Sequence, residues 1–150
     1  MNISLQQASL NEIQLVAGLA QKYQSFEGFE CTESERLKAI ECLLKSPDLG
    51  RIYLIKSEAV VVGYIAICMS YSLEFGGMDA FIDEFFIDAP QRGLGIGSQV
   101  LEMVKDKSRS LKIRALHLEV AHNNQQAQKL YHKQGFKQRD QYSLMTCVLS

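Results

Sequence analysis

Hydrophobic and polar positions along this chain follow two repeats, one typical of strands and one typical of helices. Residues 3–7 alternate like a short strand, and the next stretch repeats apolar residues every three or four positions, the spacing of one helical face. Asn11 is the predicted N-cap of this first helix. The apolar stripe of the helix is Ile13, Val16, Ala17, Leu19, Ala20 and Tyr23.

A second helix and a group of strands follow. Thr32 and Glu35 are spaced as a capping box, which predicts a helix that ends near Ser46 and Pro47. Residues 51–56 and 60–71 are rich in β-branched and aromatic side chains and predict a hairpin that turns near Glu58 and Ala59. Residues 78–87 predict the next strand, after a turn at Phe75-Gly76-Gly77.

The last third of the chain predicts a helix at about 95–110, a strand at about 114–120, a short helix, and then closing strands. Asn124 suits the N-cap of the short helix, and Gly135 suits its C-cap. Because there is no linker, repeat or low-complexity stretch, residues 1–150 predict a single domain.

A glycine-rich turn joins the strand at 78–87 to the helix at about 95–110. Gly93, Gly95 and Gly97 lack a Cβ, so their backbone can adopt positive φ and approach an anion closely. The helix that follows directs unpaired N–H groups and its positive dipole end at the same place. Arg92 adds a fixed charge with a forked set of donors. These features predict a pyrophosphate site.

Two other phosphate loops compete with this interpretation. A dinucleotide fingerprint needs a glycine five residues after Gly93, where this chain has Ser98. Glu119, near the end of the following strand, would satisfy the acidic criterion of that fold. The glycine spacing is therefore the feature that argues against a dinucleotide-binding fold. A P-loop needs a Gly-Lys pair, which the chain lacks. The pattern that is left is R-x-x-G-x-G, at Arg92, Gly95 and Gly97.

A second motif follows the strand at about 114–120. It reads N-x-x-A-x-x-L-Y and then G-F, at Asn124, Ala127, Leu130, Tyr131, Gly135 and Phe136. With R-x-x-G-x-G before it, the chain resembles the GNAT N-acetyltransferase superfamily, well over about residues 52–136 and more loosely toward both ends. The resemblance implies a mixed, mostly antiparallel α/β (α+β) sheet flanked by helices. It also implies splayed parallel strands that form an acyl-CoA cleft.

In that cleft, the resemblance implies that the pantetheine arm of acetyl-CoA pairs with the backbone of the strand ending at Ile87. The pyrophosphate would lie on the turn from Arg92 to Ser98. Asn124 caps its helix or contacts the cofactor, and Ser98 serves a phosphate or its own backbone. The implied donor-binding residues are Phe86, Ile87, Arg92, Gly93, Leu94, Gly95, Ile96, Gly97, Ser98, Asn124 and Tyr131.

Acetyl transfer to an amine needs a base, because an aliphatic ammonium has a pKa of about 10.4 and must lose a proton before it attacks. Asp83 and Glu84 are adjacent on the predicted strand, so at most one faces the substrate unless a bulge intervenes. Glu84 is favoured for its longer side chain, with Asp83 close behind. The resemblance implies Tyr131 as the general acid that protonates the departing thiolate; packing against the sheet is its structural alternative.

The acceptor is less well defined by the sequence. Glu27 and Glu74 are candidate substrate-binding residues in segments that could approach the acceptor side, where acidic groups favour a cationic amine. A polyamine-like or basic amino-acid acceptor is therefore expected. A protein or peptide N-acetyltransferase satisfies the same motifs, and so does transfer of a longer acyl group. A non-catalytic acyl-CoA-binding regulator would need neither the acidic pair nor Tyr131.

Composition limits the remaining classes. Sixteen Lys and Arg against seventeen Asp and Glu give a net charge of −1, which disfavours a nucleic-acid partner. The four cysteines have no C-x-x-C spacing, so they predict mostly buried thiols in a reducing compartment, and no metal site is expected. No apolar run reaches membrane-spanning length, so a cytoplasmic protein without a membrane partner is expected. Apolar Leu144, Val148 and Leu149 would allow a homodimer.

Overall fold

The computed structural model describes residues 1–150 and divides them into two compact units, residues 1–119 and 120–150. The first unit holds a five-stranded sheet with strands in chain order. Its strands are β1 (Ile3–Gln7), β2 (Gly50–Ser57), β3 (Val60–Ser72), β4 (Gly77–Ile87) and β5 (Leu116–His117). Its helices are α1 (Ile13–Glu27), α2 (Glu33–Lys45) and α3 (Ile96–Ser110). The prediction of one domain stays a prediction.

The sheet is antiparallel from β1 to β4, and β4 then pairs with β5 in parallel. The predicted β2–β3 hairpin is present, and Glu58 and Ala59 form its turn with positive φ values of 50° and 69°. The predicted strand at 114–120 pairs only at Leu116 and His117. A mixed, mostly antiparallel sheet flanked by helices confirms the predicted fold class.

Capping residues set where the first two helices begin. The predicted N-cap Asn11 is wrong: Ser9 caps a short 3₁₀ helix at Leu10–Glu12, which leads into α1. Ser9 takes this role because it forms a capping box with Glu12, and Asn11 lies inside the turn as a donor to the Ser9 hydroxyl. The predicted capping box of Thr32 and Glu35 is present at the start of α2.

The helices of the first unit cover both faces of the sheet. Val16 and Leu19 of α1 are buried in one cluster with Leu54, Tyr64 and Phe86 of the sheet. The Lys107 ammonium of α3 lies 5.3 Å from the centre of the Tyr53 ring, which belongs to the opposite face. The buried side of α3 consists of Ile96, Val100, Leu101, Val104 and Ser108. Burial of this apolar surface stabilises the unit.

The second unit contains α4 (Gln125–Lys133). The Asn124 carboxamide oxygen accepts a hydrogen bond from the Ala127 N–H at 3.2 Å, and Gly135 takes a φ of 93° just after the helix. The closing strands predicted after Gly135 are wrong, because residues 136–150 contain no strand. A strand needs a neighbour for its backbone hydrogen bonds, and apolar composition alone does not supply one.

The cysteines are more accessible than the sequence predicted. All four are free thiols, none is fully buried, and Cys42 and Cys147 are exposed. Burial and the charges of Asp83 and Glu84 raise the pKa of the half-buried Cys68 thiol to about 11. This thiol is therefore protonated at neutral pH and is a poor nucleophile.

Candidate functional site

The glycine-rich turn lies between β4 and α3. Gly93 and Gly95 have φ values of 78° and 81°, and a Cβ at either position would meet no atom within 4 Å. Backbone conformation therefore explains these two glycines, as predicted. Gly97 differs, because it lies in the first turn of α3 without a positive φ. The freedom to adopt a positive φ is therefore not used at Gly97.

Helix α3 begins without a side-chain cap. Gly95 is its N-cap residue, and no side chain accepts from the first turn. The N–H groups of Ile96, Gly97 and Ser98 have no acceptor in the protein, since the first helical bond runs from the Gln99 N–H to the Gly95 carbonyl. Ile96 is 1% exposed and anchors the start of the helix in the core. Unpaired donors at a positive dipole end form an anion site.

Arg92 lies beside this anion site and is held from three sides. Its Nε donates to the Ile87 carbonyl oxygen at 2.8 Å. Its guanidinium carbon lies 4.8 Å from the centre of the Phe26 ring and 5.5 Å from that of Phe86. Leu94 is exposed at the tip of the turn. Cation–π contacts with the two rings limit the freedom of the guanidinium and leave its charge available to an anion.

One edge of β4 is open next to the glycine-rich turn. The parallel ladder with β5 covers only Ala80 with Leu116 and Phe81 with His117. From Ile82 to Ile87, β4 has a ladder partner in β3 alone. This agrees with the splayed parallel strands that the family resemblance implied. Backbone groups on the open edge are free to pair with an extended ligand, and Phe86 and Ile87 lie at its end.

The acidic pair lies at a β-bulge. The register pairs Ala66 with Glu84 and Ile67 with Ile82, so Asp83 is the extra residue on β4. A bulge was the condition under which both carboxylates could approach one side of the strand. Desolvation raises the pKa of Asp83, although the residue is exposed and water screens the effect.

Glu84 is the more buried carboxylate of the pair, and it has a fixed partner. The buried Tyr64 hydroxyl donates a hydrogen bond to its Oε1 at 2.8 Å. Burial raises the pKa of Glu84, the bond from Tyr64 opposes that rise, and the Asp83 charge adds to it. Burial and Glu84 also raise the pKa of Tyr64, so its hydroxyl keeps its proton and acts as donor. Glu84 is thus a positioned carboxylate with raised proton affinity.

Sequence reasoning missed Tyr64, Phe26 and a second polar network. The Ser70 hydroxyl donates to Asp79 Oδ1 at 2.5 Å, and His117 Nε2 lies 2.8 Å from Asp79 Oδ2. The network ties β3, β4 and β5 where the parallel pairing begins. These residues meet only because of the strand register, so their spacing along the chain does not predict the contacts.

The remaining predicted site residues are Glu27 and Glu74 in the first unit and Asn124 and Tyr131 in the second. Glu27 is the last residue of α1 and directly follows Phe26. Glu74 lies in the turn between β3 and β4 and is exposed. In the second unit, the Tyr131 ring packs edge-on against Phe136 at 5.9 Å, on the helix that Asn124 caps. Capping accounts for Asn124.

A family model described as the Acetyltransferase (GNAT) family matches residues 16–136. The match spans well over half of the chain, so the chain belongs to the GNAT acetyltransferase family. A named relative is the uncharacterized N-acetyltransferase YycN of Bacillus subtilis (strain 168), which is 37% identical over 84 residues. That alignment covers 56% of this chain, and the chain spans about half (53%) of the relative's length.

Solved structures share the fold over nearly the whole chain. An integron cassette protein from the mobile metagenome of Cole Harbour Salt Marsh is 29% identical with a TM-score of 0.85, covering 97% of this chain and 91% of its own. A predicted acetyltransferase from Clostridium acetobutylicum, solved with acetyl-CoA, is 16% identical with a TM-score of 0.79. It covers 97% of this chain and 96% of its own.

None of the helices has both the length and the apolar character needed to cross a membrane. The cytoplasmic location and the homodimer stay predictions from the sequence.

Proposed function

We propose that this chain transfers an acetyl group from acetyl-CoA directly to a primary amine of a small molecule. The observation that carries the proposal is the uncapped start of α3, where three N–H groups without acceptors lie beside Arg92. Family membership and the Clostridium acetobutylicum neighbour solved with acetyl-CoA support this donor. The turn from Arg92 to Ser98 would hold the pyrophosphate, because it offers donors and positive charge to an anion.

The open edge of β4 at Phe86 and Ile87 would take the pantetheine arm. Amides of the arm can pair with backbone groups there as an added strand would. The Ile87 carbonyl already accepts one hydrogen bond from Arg92 Nε, so this carbonyl links the arm and the pyrophosphate site. A carbonyl oxygen has two lone pairs and can accept a second bond.

Glu84 would act as the general base, with Asp83 as the nearby alternative. A carboxylate with a raised pKa takes a proton from an ammonium more readily than an ordinary one. The amine nitrogen then bonds to the thioester carbonyl carbon and the C–S bond breaks. Tyr131 would give the departing sulfur its proton. Of the two protons that the nitrogen loses, one leaves through Glu84 and the other replaces the proton of Tyr131.

The proposed acceptor is a polyamine-like molecule or a basic amino acid. Glu27 and Glu74 would attract its positive charge, together with Asp83 and Glu84. A protein or peptide acceptor is the alternative within the family. A non-catalytic acyl-CoA-binding regulator would not need the bulged acidic pair or the Tyr64 bond that positions Glu84.

The proposal is tested by thiol release from acetyl-CoA with polyamines, amino acids, aminoglycosides and peptides. Thermal shift by CoA is measured alongside. Release with one amine class is the expected result. A CoA shift without release from any amine would favour the regulator, and no shift would contradict the assignment of the glycine-rich turn.

A further inference from the structure

An open cavity of about 390 Å³ lies between the end of α1 and the start of α2. The donor site described above uses none of its lining residues. They are Gln21, Gln24, Ser25, Phe29, Glu30, Cys31, Thr32, Glu35 and Arg36. Most of them are exposed at the rim, whereas Gln24 and Arg36 are buried at 8% and 9% exposure. The cavity is therefore open to solvent above and has a polar, buried floor.

The charge of Arg36 has no close counterion. Its Nε donates to Gln24 Oε1 at 2.9 Å, and its Nη2 donates to the Cys31 carbonyl at 3.0 Å. Both acceptors are neutral, Arg36 forms no salt bridge, and its other N–H groups have no acceptor in the protein. The residue also lies near the start of α2, where the helix dipole is positive. A buried arginine is normally paired with an anion, so this one favours an anionic ligand.

The rim of the same cavity carries negative charge. Hydrogen bonds from the backbone and side chain of Thr32 lower the pKa of Glu35, so that carboxylate stays ionised at neutral pH. Glu30 is exposed and makes no hydrogen bond within the protein. The two rim carboxylates would repel a polyanion such as a phosphate, and the positive charge of Arg36 would repel a polycation. A ligand that carries one charge of each sign matches both parts of the cavity.

Aromatic contacts connect the cavity with Glu84. The Phe29 ring, in the cavity wall, packs edge-on against Tyr23 at 6.4 Å. Tyr23 packs edge-on against Tyr64 at the same distance, and the Tyr64 hydroxyl bonds Glu84. The cavity and the proposed base therefore flank one aromatic cluster.

We propose that this cavity binds the α-amino-acid head group of the acceptor, with the carboxylate on Arg36 and the α-ammonium toward Glu30. The inference rests on the proposed function and narrows its acceptor to a basic amino acid whose side-chain amine is acetylated. Polyamines are disfavoured, because they bring no anion to Arg36. The forked donors of arginine suit a carboxylate.

Three probes that differ in one group each test the proposal. Lysine carries both head-group charges, lysinamide lacks the carboxylate, and 6-aminohexanoate lacks the α-ammonium. Calorimetry without acetyl-CoA should show lysine binding at least about tenfold more tightly than lysinamide, the effect of losing one charged hydrogen-bond partner. Thiol release should follow the same order in kcat/KM. Equal affinity for lysine and lysinamide would overturn the proposal.

Arg36→Gln should remove the preference for lysine over lysinamide, and Arg36→Lys should restore part of it. Lys38→Gln removes one positive charge from an exposed position of the same helix and should leave the preference intact. An unchanged preference in Arg36→Gln, with an unchanged CoA thermal shift as proof of folding, would overturn the role of Arg36. If Arg36→Gln does not fold, Glu30→Gln at the exposed rim should still remove the preference for lysine over 6-aminohexanoate.

These measurements also separate this inference from the proposed function. Lysine binding that depends on Arg36, without thiol release from any of the amines, would contradict acetyl transfer and support the head-group site. Thiol release with polyamines, at equal affinity for lysine and lysinamide, would support acetyl transfer and overturn the head-group site.

Discussion

Helices α2 and α3 begin in opposite ways. At α2, the Thr32 hydroxyl accepts from the Glu35 N–H at 3.1 Å, and the Glu35 carboxylate accepts from the Thr32 N–H at 2.9 Å. At α3, Gly95 stands at the N-cap and provides no side-chain acceptor. One helix start has a complete capping box, and the other leaves its N–H groups open.

The difference shows that a helix without a side-chain cap can still be held stably in the fold. A capping side chain contributes about 1 kcal/mol, which α3 lacks. The helix instead buries Ile96, Val100, Leu101 and Val104 at 1% exposure or less. Each such side chain contributes about 1.5 to 3 kcal/mol, so burial offsets the missing cap. The open donors of α3 are then available to a ligand.

The largest effect is expected where this open helix start is blocked. Gly95→Glu should weaken CoA binding by at least about a thousandfold, because a side chain and a negative charge enter the anion site. Gly76→Glu is the matched control, since Gly76 also has a positive φ (73° against 81°) and open space around its Cβ. Calorimetry with CoA should show normal affinity in the control. Equal losses in both variants would trace the effect to backbone strain.

Glu84→Gln should lower kcat by about a hundredfold, since the amide cannot take a proton, while CoA affinity is kept. The same variant should be more stable than the wild-type protein, although it is less active. The pKa of Glu84 is raised in the folded state, so the ionised carboxylate destabilises the fold at neutral pH. Urea unfolding should show the variant more stable at pH 7. This gain should shrink as pH falls, because the wild-type carboxyl becomes protonated. An unaltered rate would move the base to Asp83 or to water.

Tyr64→Phe tests the same site through its partner. Loss of the hydrogen bond removes an effect that lowers the pKa of Glu84, so that pKa should rise further. The acid limb of the pH profile of kcat should move to higher pH. A limb that stays in place would show that Glu84 is not the titrating group.

Tyr131→Phe should lower kcat by about tenfold with little change in CoA affinity, because the variant lacks the hydroxyl that we propose as the proton donor to the thiolate. Asn124 gives α4 a capped start like that of α2. The Ala127 N–H at this start is therefore not open to a ligand, and the contribution that we propose for α4 is the Tyr131 side chain. Single-turnover rates with acetyl-CoA check this, and a normal rate would make Tyr131 a packing residue beside Phe136.

Local patterns predicted the parts of this fold that depend on neighbouring residues. The Thr32 box, the hairpin turn and the glycines at 93 and 95 each follow from short-range backbone chemistry. The bulge at Asp83 and the Tyr64 bond to Glu84 depend on the register of two strands, which sequence spacing does not encode. The prediction of closing strands after Gly135 was wrong for a related reason. Composition indicates strand propensity, but it does not show which strand would pair with the segment.

The smallest effect is expected at the capped helix. Thr32→Ala should lower the free energy of unfolding by about 1 kcal/mol, because the Glu35 N–H loses the hydroxyl oxygen that accepts its hydrogen bond. Thermal unfolding should register a decrease of about 2 to 4 °C. The shift produced by CoA should be unchanged, because the donors of α3 are untouched. A weaker CoA shift in this variant would show that the starts of α2 and α3 are coupled. The start of α2 could then no longer be described as serving stability alone and the start of α3 as serving binding.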